Sequence, residues 1–289
     1  MLKLLLLFLS ISSVLYAENS KALDEIQIHI APDEIQGAPS YRTIQQAIDY
    51  SYEITSQSVS SIKFLIHEGT YNQQAAVLRP KQGVHYEFTF ASDGEQLPNF
   101  DGELKQLTWL RVLSAHGTGS SVYISKLKLK NYITAISIEG DREDPTKFNA
   151  QNKIFKMQFE NIGQSSLGLP PSTAVIRLVN SRNNEIYDND FTNIKNVESC
   201  GLLHSVYLAH HSSDNLIERN NFTNLCGSPI RVRDDSNNNN ALNNKFNNIQ
   251  NGKLMDQWFC DKSSRKDCTK SNPELRSHSN ALDMNRIAQ

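Results

Sequence analysis

The sequence predicts an all-β fold, a single-stranded right-handed parallel β-helix with a short N-terminal capping helix. Three observations predict it. A segment of nine or ten residues recurs along the second half of the chain, short apolar–polar alternations lie between its copies, and a helical pattern precedes them all.

The recurrent segment appears as Lys153 to Ile162, Glu185 to Ile194, Leu216 to Leu225 and Ala241 to Ile249. Every copy carries Phe-x-Asn-Ile/Leu, with an aliphatic residue or Ala five positions before the Phe. Phe159, Phe191, Phe222 and Phe246 are spaced by 32, 31 and 24 residues. Between the copies stand Ala135 to Ile138, Val175 to Leu178, Val206 to Leu208 and Ile230 to Val232, with the period of two that marks a half-buried strand. Two short strands per repeat, separated by Asn, Ser, Asp and Gly, describe a solenoid coil. No such coil buries its apolar face alone, so neighbours must stack, Phe on Phe. The Asn positions suit turns with φ > 0 and side-chain amide ladders.

Upstream, Ile44, Ala47 and Ile48 have helical spacing, and a short helix there would cover the open end of the solenoid. Ile62 to Tyr71 reads as a strand ending in Gly-Thr-Tyr, followed by the Pro98-to-Gly102 turn. The expected organisation is a processed segment over 1–17 and one β-helix domain over 18–289. Its regular coils run from about 120 to 260, and a polar tail covers 262–289.

Lys3, the apolar run Leu4 to Leu15 and the small residue Ala17 before Glu18 form a signal-peptide pattern. The mature protein is therefore expected in the periplasm or outside the cell, off the membrane and monomeric. A formal net charge of −2 provides no basic field for nucleic acid. Four cysteines fit an oxidising compartment and allow three pairings. Cys200 with Cys226 is favoured because each precedes a Gly and follows a similar segment. Cys260 with Cys268 would close a short loop. The absence of C-x-x-C spacing disfavours a metal site.

Solenoids work on a lateral face. With Ile176/Leu178, Val206/Leu208 and Ile230/Val232 pointing inward, three outward rows follow. They are Arg177–Tyr207–Arg231, Val179–Ala209–Arg233 and Ser181–His211–Asp235. Three Arg, a Tyr and a His on adjacent coils suit a polyanion, and Arg grips a carboxylate bidentately. The matching chemistry is β-elimination from a uronate. A cation neutralises the carboxylate, a base takes the C5 proton, and the leaving oxygen is protonated. His211, Arg233 and Tyr207 are the expected catalytic residues, with Arg231, Arg177 and Asp235 binding substrate. His210 is expected to be a structural hydrogen-bonder.

Two stretches resemble known families. Thr43-Ile44-x-x-Ala47-Ile48, Gly69-Thr70-Tyr71 and Pro98-x-x-Asp101-Gly102 resemble the opening of pectate-lyase-like and pectin-esterase-like β-helix proteins. Val206 to Asn215, followed by Gly227 to Arg233, resembles consecutive coils of alginate-lyase and chondroitinase-B-type polysaccharide lyases. In those lyases a Lys is the base and an Arg assists. The resemblance puts Arg233 in the Arg position and His211 where the Lys is expected. It implies a lyase acting on an acidic polysaccharide. No cofactor is expected, calcium being the one candidate, although the acidic calcium ligands of those lyases are not evident here. The alternatives are a non-catalytic glycan-binding module and a glycoside hydrolase using Asp234-Asp235.

Overall fold

A computed structural model describes residues 24–55, 59–92, 96–171, 173–258, 276–283 and 286–288. The 1–17 signal segment and the Cys260–Cys268 pair lie outside them.

From Val59 onward the chain visits three parallel sheets in a fixed order. The strands Val59–Ile66, Thr70–Asn72 and Ala76–Leu78 make the first coil, and each later coil stacks on the one before. Among the described residues the sheets hold ten, eight and seven strands, all parallel. Sheet 1 contains Val59–Ile66, sheet 2 Thr70–Asn72 and sheet 3 Ala76–Leu78. This is the predicted parallel β-helix.

Register explains the repeat. In sheet 2, Tyr71, Phe100, Leu129, Phe159, Phe191, Phe222 and Phe246 form one inward column. The last four rings stack with centroids 5.0, 4.8 and 5.0 Å apart. In sheet 3, Leu110, Ile136, Ile176, Val206 and Ile230 form another. All are buried in a single core.

Corners are sharp because Asn and its neighbours accept the left-handed conformation. Asn161, Asn193, Asn224 and Asn248, the Asn of each Phe-x-Asn, have φ of 54°, 56°, 65° and 52°. Two buried amide ladders line other corners. Asn184 donates its backbone N–H and its side-chain Nδ2 to Asn215 Oδ1 at 3.0 and 2.7 Å. Asn152, Asn215 and Asn239 repeat that pattern on the next coil each time. Asn189, Asn220 and Asn244 form the second ladder.

The coils begin about sixty residues earlier than the repeat suggested. The first coils fill the same columns with Tyr71, Phe100, Ala76 and Leu110, and apolar side chains of differing shape satisfy the stack. At the other end Ala281–Asp283 and Arg286–Ala288 pair with Asn240–Leu242 and with the strand Lys245–Gln250, extending the solenoid into a stretch read as a polar tail.

The predicted cap is the helix Ile44–Ile54. Thr43 Oγ1 accepts from Gln46 N at 3.2 Å, and Ile44, Ala47 and Ile48 are buried. The helix packs on the strands Asp24–Ile30, Ser40–Tyr41 and Ala76–Leu78 at the start of the solenoid. Cys200 and Cys226 form the predicted disulfide, with Cα atoms 5.2 Å apart. Gly227 beside it has φ +80°, and a Cβ there would meet Cys200 O at 2.2 Å. Closing that loop contributes about 3 kcal/mol in the chain-entropy account. Among the described residues no helix is long and apolar enough to cross a membrane.

Candidate active site

Sheet 3 carries the first predicted row on its outer face. Arg177, Tyr207 and Arg231 are in register, and Asp256 continues the row. Each of the three predicted arginines meets a carboxylate. Arg177 Nη1 is 3.4 Å from Glu139, Arg231 Nη2 is 3.1 Å from Asp256, and Arg233 Nε is 2.7 Å from Asp234. The Arg233 guanidinium also lies 4.1 Å from the Trp258 ring centroid. Tyr207 is only 3% exposed and packs with Ala174 and Ala209, so its ring is not presented to a polymer.

The third predicted row does not exist as drawn. Ser181 aligns with Ser212 and Ser236 in a buried ladder, each backbone N–H donating to the next hydroxyl at 3.1 Å. His211 is an extra residue on its coil. The preceding coil turns this corner with Asn180 alone at φ 44°. The next two use consecutive left-handed residues, His210–His211 (51°, 65°) and Asp234–Asp235 (55°, 56°). The added residue pushes His211 and Asp235 outward and shifts everything after them by one position. This is how a bulge redirects side chains.

The redirected pair lines an open trough of about 460 Å³ with Arg182, Ser213, Asp214, Asn237, Asn238, His278 and Pro145. His211 Nδ1 lies 3.0 Å from Asp235 Oδ2. A carboxylate only accepts, so Nδ1 carries a proton, and the neutral tautomer compatible with this contact has its lone pair on Nε2. Asn237 Nδ2 donates to Asp235 Oδ1 at 2.7 Å and fixes the carboxylate. Arg182 donates from Nε to His211 O at 3.2 Å and from Nη2 to Pro145 O at 2.7 Å, over the Phe148 ring at 4.6 Å. These partners are uncharged, and among the described residues no carboxylate forms an ion pair with Arg182. Among the described residues Arg182 is thus a cation without an ion-paired carboxylate, in a trough that Asp214 and Asp235 also line.

Sequence reasoning missed Arg182 and His278. Arg182 follows a residue assigned to the wrong row, and His278 stands in the tail, where no repeat marked its coil. The structure brings His211 and Asp235 together in the trough. It leaves Arg233, Arg231, Arg177 and Tyr207 on the sheet face.

His210 is structural, in a neutral state. Arg142 Nε donates to His210 Nε2 at 2.9 Å, so that nitrogen is an acceptor. Its 3.3 Å approach to Asp234 Oδ2 is therefore not an ion pair. Burial, with Arg142 and Arg233 nearby, pushes His210 down to about 3. Burial raises the Asp234 carboxyl against the pull of Arg233. His204 donates from Nδ1 to Ser228 O at 2.9 Å, and burial, with Arg231 adding, pushes it down to about 3.

These depressed histidines have a consequence for stability. The unfolded chain takes up protons near pH 6.5 while folded His204 stays neutral to about pH 3, so stability falls as pH drops through that window. His204 alone costs about 2 kcal/mol by pH 5 relative to pH 7. Urea midpoints at the two pH values test this. His204→Asn, which keeps a donor for Ser228 O, is expected to flatten the pH dependence, and an unchanged slope would remove His204 as its source.

A scan against protein-family models finds none that matches, and a search of curated proteins finds no significant match. What the stacked parallel sheets support is a parallel β-helix, without a particular family. Among the described residues no group of three or more His, Cys, Asp or Glu is placed to hold a metal ion.

Proposed function

We propose that the protein is an exported polysaccharide lyase that cleaves an acidic, uronate-containing polymer by β-elimination in the corner trough. The observation that carries this reading is the His211–Asp235 dyad beside Arg182, which has no ion-paired carboxylate among the described residues, in one open trough. Arg182 neutralises the sugar carboxylate and makes the C5 proton removable. His211 Nε2 takes that proton, and Asp235 holds the tautomer and steadies the imidazolium that forms. Arg182 thus takes the part first read onto Arg233, whose charge Asp234 already balances. The Cys200–Cys226 disulfide fits an oxidising compartment.

Hydrolysis fits less well. A hydrolase needs two carboxylates on one sugar, and Asp234 is 6% exposed and bound to Arg233 while Asp235 is engaged with His211. The test is incubation with a panel of uronate polymers, following absorbance near 230–240 nm, roughly where conjugated enoates absorb. Rising absorbance is expected. New reducing ends without absorbance would replace elimination by hydrolysis. Retained glycan with neither signal would make the protein a binding module.

A further inference from the structure

The trough is walled at one end, and we infer that it takes the terminal unit of a uronate chain and works inward from the reducing end. This inference rests on the proposed elimination chemistry. Arg182, Ser213, Asn237 and His278 occupy the same corner position on four successive coils. Asn237 N donates to Ser213 Oγ at 2.9 Å, and His278 N donates to Asn237 Oδ1 at 2.8 Å. Residues one coil apart are about 4.8 Å apart, so the floor runs about 14 Å parallel to the solenoid axis.

The links between sheet 3 and sheet 1 that form this floor are short, spanning 180–184, 210–215 and 233–239. On the coil before them the chain makes a lateral loop over 140–148 ahead of the short strand Asn149–Ala150. The loop stands at the Arg182 end, where Pro145 lines the trough. It is also pinned. Asn180 Nδ2 donates to Asp141 O, Asp144 O and Lys147 O at 2.7, 2.9 and 3.3 Å. Arg182 holds Pro145 O, and Arg142 reaches His210 two coils away. A polymer lying along the floor meets this wall just beyond Arg182.

The direction follows from the bonds. The unit whose carboxylate Arg182 holds loses its C5 proton to His211. The C–H electrons form the C4–C5 double bond, the C4–O bond breaks, and the imidazolium returns its proton to the departing oxygen. That oxygen belongs to the rest of the chain, so the unit at the wall is the reducing end and leaves as an unsaturated monosaccharide.

Two measurements on the full protein decide this. First, products from defined oligouronides are sized during the first few per cent of turnover. Unsaturated monosaccharide plus a chain one unit shorter is expected, and mixed internal fragments would overturn the inference while leaving elimination intact. Second, the His211→Asn protein is titrated with uronate chains of increasing length. One protein per chain at every length is expected, and several proteins on each long chain would overturn it. Binding of one protein per chain without any unsaturated product from the wild type would reject the elimination chemistry and keep the walled end. No binding to any chain would reject both.

Discussion

Replacing His211 with Asn is expected to lower kcat by about 10²- to 10⁴-fold, the range that a positioned general base contributes. Asn is the informative choice because His211 sits at φ 65°, a conformation that Asn accepts more readily than most residues. The backbone bond from His211 N to Asp234 O at 2.9 Å does not depend on the side chain. The variant should therefore fold and keep its affinity for substrate, so the loss should fall on kcat with little change in KM. Asp235→Asn should lower kcat less, since it removes the partner that fixes the tautomer and leaves the imidazole in place. Circular dichroism and a thermal melt accompany the kinetics. A His211→Asn protein with wild-type melting and kcat within threefold would take catalysis away from the trough. Arg233→Ala is a useful comparison, because its guanidinium is already matched by Asp234.

The second large effect is on stability. Asn215→Ala should destabilise the protein by about 3 kcal/mol, because it orphans a buried donor and opens a void. Asn215 Oδ1 accepts both the Asn184 backbone N–H and Asn184 Nδ2. Its own Nδ2 serves Asn239 Oδ1 at 2.8 Å and Ser181 O at 3.2 Å. Without the side chain, the Asn184 backbone N–H loses its acceptor in a site where Asn184 and Asn215 are 2% and 1% exposed. Urea titration of Asn215→Ala against exposed Asn240→Ala measures the difference, with the control expected within about 0.5 kcal/mol of wild type. Equal midpoints would mean that the ladder adds nothing beyond solvation of its amides.

The sheet 2 column was legible because Phe recurs where the stack repeats, and because the Asn two residues later adopts a positive φ on each of those four coils. The register of Arg177, Tyr207 and Arg231 was legible for the same reason, since alternation carries through a strand of fixed length. The corner was not. One extra left-handed residue at His211 leaves no mark on the apolar pattern, yet it reassigns Ser181, His211 and Asp235 to different faces. Arg182 was hidden by that slip. The balance of each cation was also beyond the sequence. Glu139 is 38 residues from Arg177, and Asp256 is 25 from Arg231, and only stacking makes them partners. The first coils lie outside the Phe-x-Asn repeat because aromatic and aliphatic residues fill the same columns there without repeating that motif.

The asparagine ladders give the solenoid a direction. In each rung the donors of one coil point to the carbonyl oxygen of the coil that follows it in sequence, from Asn152 through Asn184, Asn215 and Asn239 to Asn280. A growing chain therefore always presents amide hydrogens that await the next turn, and an orphaned N–H is the harder group to leave dry. The two ends of the stack are consequently unequal. Removing coils from the front exposes spare acceptors, whereas stopping early strands donors. The assembly behaves as a one-way template that favours continuation, and Asn280 supplies the last acceptor of this ladder among the described residues.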